Sequence, residues 1–282
     1  MKILLTGHLG FIGSRLYEKL VVDGHEVVGI DIKEGTDILT APLPKVDFVI
    51  HLAGIGGVRE SLADPAKYWN TNVEGTKRIL DNYKNVRVLV AGSSSQYEPH
   101  LNPYAASKNI IENIPHPNVL FMRFHTVYSE SPRAKMFFDK LLNGTLEYTT
   151  NHQRDFIHLE DLTDGIILLM DKDITGNVDI GTGHCVRIQD IRPDLPVKLN
   201  TIGERTKTQA NTHLMDKDLT GNVDIGTGNC VRIQDIRPDL PVKLNTVGER
   251  TKTQANTHLM DKLGFRPKYT VDGFLKEQGF KK

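Results

Sequence analysis

The sequence predicts an α/β fold, a doubly wound parallel sheet with helices on both faces, continued by a smaller C-terminal α/β part. Three observations lead there. Short apolar runs alternate with amphipathic stretches in the order β-α-β-β-α-β over residues 1–91. A glycine-spaced turn joins the first run to the first amphipathic stretch. With 39% hydrophobic and 25% charged residues, the 282-residue chain holds apolar material for one large domain, or for one medium and one small.

Residues 2–5 form the first strand, 11–23 an amphipathic helix, 26–30 a second strand and 48–52 a third; a long helix over 65–83 leads to a strand at 86–91. Apolar runs this short, bounded by Gly, Asp and Ser, suit strands of a covered parallel sheet. Further on, a helix beginning near Tyr104 closes at Ile114, a buried strand spans 119–124, and a helix spans 159–170. Asp161 falls in the first turn of that last helix, where the dipole favours a carboxylate.

Lys plus Arg equals Asp plus Glu at 35 each. No charge excess draws the chain toward nucleic acid or an anionic membrane, so the expected partner is a small molecule. No apolar run approaches the roughly 20 residues of a membrane span, and Met1-Lys2 leads into a strand without a signal-peptide pattern, which makes a cytoplasmic location the expectation. Residues 169–213 recur as 214–258, identical at 42 of 45 positions; Ile174, His184 and Ile202 are replaced by Leu219, Asn229 and Val247. Two near-identical units are a tandem duplication, not a solenoid. The two cysteines, Cys185 and Cys230, are one cysteine copied, so neither a disulfide framework nor a metal site is expected. The duplication also offers two strands, 177–180 and 222–225, for a single place in the sheet.

Between the first strand and first helix, Gly7-His8-Leu9-Gly10-Phe11-Ile12-Gly13 has the spacing of a dinucleotide-binding turn of Rossmann type. Gly7 makes the tight turn, Gly10 lets a pyrophosphate approach the backbone, Gly13 lets helix and strand pack, and the helix N-terminus meets the phosphates. Asp31 ends the second strand, where a carboxylate accepts both hydroxyls of an adenosine ribose; this favours NAD, with Lys33 as the residue that would speak for NADP. The alternative is that Asp31 only caps a turn. Tyr104 and Lys108, four residues apart, share one helical face, where an ammonium lowers the pKa of a phenol and Tyr104 can exchange a proton.

Taken in order, these motifs resemble the extended short-chain dehydrogenase/reductase family in its NAD-dependent epimerase/dehydratase branch, over nearly the whole chain. His51-Leu52-Ala53-Gly54 is similar to that family's fourth-strand motif beside the cofactor, Asn72-Val73-Glu74-Gly75-Thr76 to the next helix motif, and Arg154-Asp155-Phe156 to its R-D-F/Y signature. Asp37-Ile38 resembles the pair that touches adenine, and Gly181-Thr182-Gly183 and Leu263-Gly264-Phe265-Arg266-Pro267 its C-terminal landmarks. The resemblance implies NAD held by Gly7, Gly10, Phe11, Ile12, Gly13, Asp31, Asp37, Ile38, Leu52, Ala53, Gly54, Asn72, Tyr104 and Lys108. It implies Ser93 as the third catalytic group, with Ser94 the near alternative, and Ser94, His125 and Arg154 on the substrate side. It divides the chain into a cofactor part, 1–128 and about 155–183, and a substrate part, about 129–154 and 184–282. The chain departs from the pattern in places. Six residues separate Tyr97 from Tyr104, about a third of the usual number, and the stretch 31–47 is short, as though a helix and strand were trimmed. His125 stands where the family often has Asn, and Ser129-Glu130 replaces Gly-Pro.

The expected activity is epimerisation of a sugar nucleotide by transient hydride transfer, with Tyr104 as acid/base, Lys108 lowering its pKa and holding ribose, and Ser93 orienting the substrate hydroxyl. The alternatives are a reductase or dehydrogenase on the same substrates, or a non-catalytic NAD-binding sensor. A homodimer is left open. One outcome follows from Asp31 alone: calorimetry should show NAD bound more tightly than NADP, because the carboxylate repels a 2′-phosphate, and Asp31→Ala should erase the preference.

Overall fold

The computed structural model describes residues 1–199, 260, 262–265 and 267–280. Its centre is a six-stranded, wholly parallel sheet. The strands are β1 (Lys2–Thr6), β2 (Glu26–Ile30), β3 (Phe48–His51), β4 (Arg87–Ser93), β5 (Val119–Phe124) and, counted after the short strands below, β9 (Gly176–Ile180), in spatial order β2-β1-β3-β4-β5-β9. Alternation along each strand sorts side chains between the two faces. Ile3, Leu5, Phe48, Ile50, Leu89, Leu120 and Met122 enter one core with Leu16 and Leu20 of α1 (Phe11–Val22) and Leu162, Ile166 and Leu169 of α7 (Leu159–Met170). Leu4, Val49, Val88, Val90 and Phe121 enter the other, with Ile79 and Leu80 of α4 (Gly75–Asn82) and Ile111 of α5 (Pro103–Glu112). The sheet is doubly wound, as the sequence predicts.

The stretch after β2 holds only a 3-10 turn, Ile32–Glu34, before β3, in keeping with its shortness. The long helix expected over 65–83 is divided. A short helix α3 (Pro65–Tyr68) passes into a π-helical turn, Trp69–Glu74, and then into α4, and a further helix α2 (Val58–Ala63) precedes it. The π turn has a cause in the site, given below. β4 runs to Ser93, two residues beyond the expected end, and α5 starts at Pro103 with Asn102 Oδ1 accepting the Ala105 amide at 2.8 Å.

A second, smaller unit is built from β6 (Thr126–Tyr128), β8 (Gln153–His158) and β10 (Cys185–Arg187) in the order β10-β8-β6, with β7 (Thr149–Thr150) pairing β11 (Val197–Lys198). Its core is aromatic: Tyr128, Phe138 of α6 (Phe137–Leu142), Phe156 and Phe274 pack with centroids 5.0–6.4 Å apart, joined by Ile188 and Ile191. The C-terminal helix Val271–Glu277 closes this core.

The first copy of the duplication supplies β9, β10 and β11. The second copy, 214–258, with its strand 222–225, lies outside the described residues. Met260 and Phe265 then enter the first core, against the open face that Gly165 leaves on α7. The amides of Lys268 and Tyr269 both donate to the Asp161 carboxylate at 2.9 Å, so that residue fastens the returning chain as well as favouring its own helix dipole. The tetrapeptide Leu-Met-Asp-Lys occurs at 169–172, 214–217 and 259–262, and the structure uses the first to end α7 and the third to return. Deleting 214–258, which joins His213 to Leu259, keeps every described residue and shortens the span between Leu199 and Met260. By closure entropy alone this stabilises by about 1 kcal/mol. The variant is expected to fold and to melt no lower than the parent, about 2–4 °C higher if closure alone acts, as scanning calorimetry would show.

Candidate active site

The order β2-β1-β3 reverses the winding between β1 and β3, and a ligand crevice opens at the C-terminal tips of such a pair. Two glycines shape it. Gly7 has a φ of +73°, and a Cβ there would lie 2.8 Å from the Ala53 nitrogen; a Cβ at Gly13 would lie 2.0 Å from the Gly7 oxygen. Neither position accepts a side chain. Gly10 caps α1, where Phe11 and Ile12 form the first turn with Gly13, and no side chain caps that turn, which leaves its amides facing the crevice for an anion.

Asp31, buried at the end of β2, accepts the Leu9 amide at 3.0 Å on Oδ2 and the Lys33 amide at 2.9 Å on Oδ1. It therefore caps a turn and also holds the glycine turn, and each oxygen retains a lone pair for a ribose hydroxyl. Lys33 Nζ is engaged with the Leu9 carbonyl at 2.6 Å. Asp37 caps its own turn through the Leu39 amide, and the Ile38 side chain belongs to the second-face core. A cradle that any Cβ would fill, uncapped helix amides and a carboxylate at its rim together fit a dinucleotide.

Ala53, between Leu52 and Gly54, is fixed from below. Its amide donates to Thr6 Oγ1 at 3.1 Å, Thr6 Oγ1 meets His51 Nδ1 at 2.7 Å, and His51 Nε2 meets Thr76 Oγ1 at 3.1 Å. A neutral imidazole protonated on Nε2 satisfies all three bonds. Burial pushes His51 down to about 3, and the charge of Lys108 adds to this. On the opposite wall Asn72 accepts the Ile55 amide at 2.9 Å and donates to the Ile55 carbonyl at 3.1 Å and to Ser107 Oγ at 3.0 Å. The π turn presents Asn72 to both the 53–57 loop and α5, a common use of such turns.

Ser93 ends β4 with its hydroxyl beside the Tyr104 phenol, whose pKa it lowers. Its oxygen accepts the Ser95 amide at 3.1 Å, which leaves its own proton for Tyr104; Ser94 is buried beside it. Burial pushes the Tyr104 phenol up, opposed by the Ser93 bond and the charge of Arg133. Lys108, expected to lower the pKa of that phenol, stands four residues further along the same helix. The lysine Nζ is turned to the Ala91 carbonyl at 2.6 Å, and burial brings it down to about 8.

His125 follows β5 at the sheet tips, buried, with Nε2 3.5 Å from Asp179 Oδ1. Arg154 lies on β8 in the second sheet and donates to the Gln153 carbonyl. Its neighbour Asp155 does more local work, since its carboxylate takes the amides of Thr182 and Gly183 and the Thr182 hydroxyl at 2.7–2.9 Å. Sequence reasoning did not single out Arg133, whose Nη2 donates to the Gly56 carbonyl at 2.9 Å, or Tyr68, edge-on to Tyr104 at 6.2 Å. Both arrive through tertiary packing, with no motif to mark them.

The model of the NAD dependent epimerase/dehydratase family matches residues 3–181. Among curated proteins the chain is 29% identical to the uncharacterized UDP-glucose epimerase YtcB of Bacillus subtilis, over 61% of this chain and 73% of that protein. Among solved structures it superposes on UDP-glucuronic acid 4-epimerase from Bacillus cereus, in complex with UDP-glucuronic acid and NAD, with a TM-score of 0.65 at 26% identity, covering 75% of this chain and 90% of that one. It superposes similarly on TunA, an NAD dependent NDP-hexosamine 5,6-dehydratase, with a TM-score of 0.64 at 25% identity, covering 75% and 89%.

His51 also gives the site a pH signature. Its folded pKa lies below the unfolded value, so its contribution is complete above about 6.5 and is lost as pH falls toward 3. The loss approaches about 1.4 kcal/mol per pH unit within that window. Urea midpoints measured from pH 7 to 4 should fall more steeply for the parent than for His51→Asn, and parallel slopes would remove His51 as the cause.

Proposed function

The chain belongs to the NAD dependent epimerase/dehydratase family, and from that premise we propose that it epimerises a hydroxyl-bearing carbon of a nucleoside diphosphate sugar. The observation that carries the reading is the pairing of Ser93 with the Tyr104 phenol beside Lys108, at the strand tips next to the uncapped α1. NAD, held by the glycine turn, Asp31 and the 52–54 loop, supplies a reversible hydride acceptor when bound. The chain's own residues manage the proton. Tyr104, as the phenolate that Ser93 and the charge of Arg133 favour, takes it from the substrate hydroxyl while Ser93 holds that hydroxyl in line, and the phenol returns it after the keto sugar has presented its other face. The hydride leaves and returns to the same carbon, so no net redox change results. Lys108 lies 3.7 Å from the position a Gly54 Cβ would take, within reach of the crevice that Gly54 keeps open for a ribose. Ser94 and His125 line the substrate side.

One feature supports epimerisation over dehydration. Ser94 and Ser95 stand where 4,6-dehydratases of the family carry an acidic pair, so those two positions supply no carboxylate. The named epimerases among its relatives act on UDP-glucose and UDP-glucuronic acid by their descriptions, so UDP-sugars are the first substrates to supply. Purified protein with NAD and each UDP-sugar should bring an epimer pair to equilibrium by NMR, whereas NAD binding without turnover of any nucleotide sugar would favour a sensor. Tyr104→Phe should lower turnover by about 10²–10⁴-fold, the usual worth of a positioned acid/base, with NAD affinity by calorimetry nearly unchanged. Parental turnover in that variant would remove Tyr104 from the chemistry.

A further inference from the structure

Beneath Lys108 lies a group of buried charges that the proton chemistry above does not use. Tyr104, Lys108 and Glu112 follow one another at four-residue intervals on α5, hence along a single stripe. Glu112 is 6% exposed. Its Oε2 accepts from Arg123 Nε and Nη2 of β5, each at 2.8 Å. Its Oε1 is buried without a hydrogen-bond partner, 3.1 Å from where a Cβ of Gly92 would stand. Gly92 lies between Ala91, whose carbonyl holds Lys108 Nζ, and Ser93. The charge chain continues away from the site: Arg123 Nη1 donates to the Tyr97 hydroxyl at 2.9 Å, that hydroxyl donates to Asp179 Oδ2 of β9 at 2.6 Å, and His125 stands 3.5 Å from Asp179.

We propose that Glu112 is a positioning residue for Lys108, supplying from one turn along α5 the negative charge that favours the protonated form of the buried ammonium, while Arg123 favours the ionised form of Glu112. The inference rests on the reading of Lys108 as a site residue. A lysine taken out of water loses its proton unless a fixed anion replaces the solvent, and Glu112 is the group that opposes this loss at Lys108. The carboxylate has the mirror problem. Burial pushes it up to about 7, Asp179 pushes the same way, and Arg123 and Lys108 pull it back. The groups facing Glu112 are therefore Lys108 from its own helix, Arg123 from β5 and Asp179 from β9, and the Tyr97 phenol after β4 accepts from Arg123. A plain tie between α5 and β5 would satisfy Arg123 as well, but it would not couple the titration of Lys108 to the charge at 112.

The test titrates Lys108 in the full chain by NMR of [ζ-15N]lysine, with the resonance assigned by its absence in Lys108→Met. Glu112→Gln keeps the shape and removes the charge, and is expected to lower the Lys108 midpoint by about one pH unit or more. Glu112→Asp shortens the side chain and keeps the charge, and should stay near the parent. Equal midpoints in the parent and Glu112→Gln, or a like shift in both variants, would overturn the proposal. Should Glu112→Gln not fold, the parent decides: the 13C carboxyl resonance of Glu112 must step at the Lys108 midpoint, and a resonance that passes that pH unchanged overturns the coupling. Neither measurement involves substrate, so failure here is distinct from failure of the epimerase reading, which turnover of Tyr104→Phe addresses.

Discussion

The contact on which the crevice depends is one of backbone against backbone, where Gly7 meets Ala53 across the tips of β1 and β3. Gly7 leaves β1 in a left-handed conformation and presses against Ala53, and Gly13 presses in turn against the Gly7 carbonyl. Any side chain at either glycine would force α1 away from the sheet and carry its free amides out of reach of the crevice. Thr6 and His51 secure the same contact from beneath, since the Ala53 amide would otherwise be a buried donor without an acceptor. A neutral histidine suits this place because it both accepts and donates.

The duplication tests how much extra chain such a fold accommodates. The strand place beside β5 goes to 176–180, although 221–225 matches it residue for residue. Five residues, 171–175, connect α7 to the first candidate, and fifty, 171–220, would connect it to the second. The closure entropy favours the shorter connection, and little in the sequences opposes it. Ile174, buried at 7%, is the one difference that touches the core among the described residues, and Leu219 would conserve its volume. The chain returns because Met260, Phe265 and the Asp161 bonds complete α7 wherever the preceding residues go. Leu-Met-Asp-Lys, which opens each copy, stands once more directly after the second, 45 residues on.

What could be read from the sequence was what adjacent residues determine. The glycine turn, the strands of the parallel sheet and the Tyr104–Lys108 spacing are all local patterns, and the structure brings Ser93, Tyr104 and Lys108 to one corner of the crevice. What could not be read depends on partners distant in the chain. The π turn exists because Asn72 must satisfy Ile55 and Ser107 at once, and no residue within it announces this. Arg133 reaches Gly56 across 77 positions. Arg154 drew attention as the charged residue of its motif, whereas Asp155 beside it makes the bonds that shape the Thr182 turn. Helical spacing likewise places Tyr104 and Lys108 on one face but does not say that the Lys108 ammonium finds the Ala91 carbonyl.

The stripe Tyr104, Lys108, Glu112 makes α5 an unusual helix to bury. A phenol, an ammonium and a carboxylate face the sheet where apolar side chains would pack without cost in hydration, and such groups stabilise nothing unless their partners are fixed. The partners here are fixed at both ends. Asn102 caps the first turn, Asn72 grips Ser107 in the middle, and Arg123 holds Glu112 at the last turn. A rotation of α5 about its axis would break all three together, so the bonds that compensate buried charge also set the direction in which Tyr104 faces Ser93. The expense of burying charge and the precision needed for proton transfer are then met by one set of contacts.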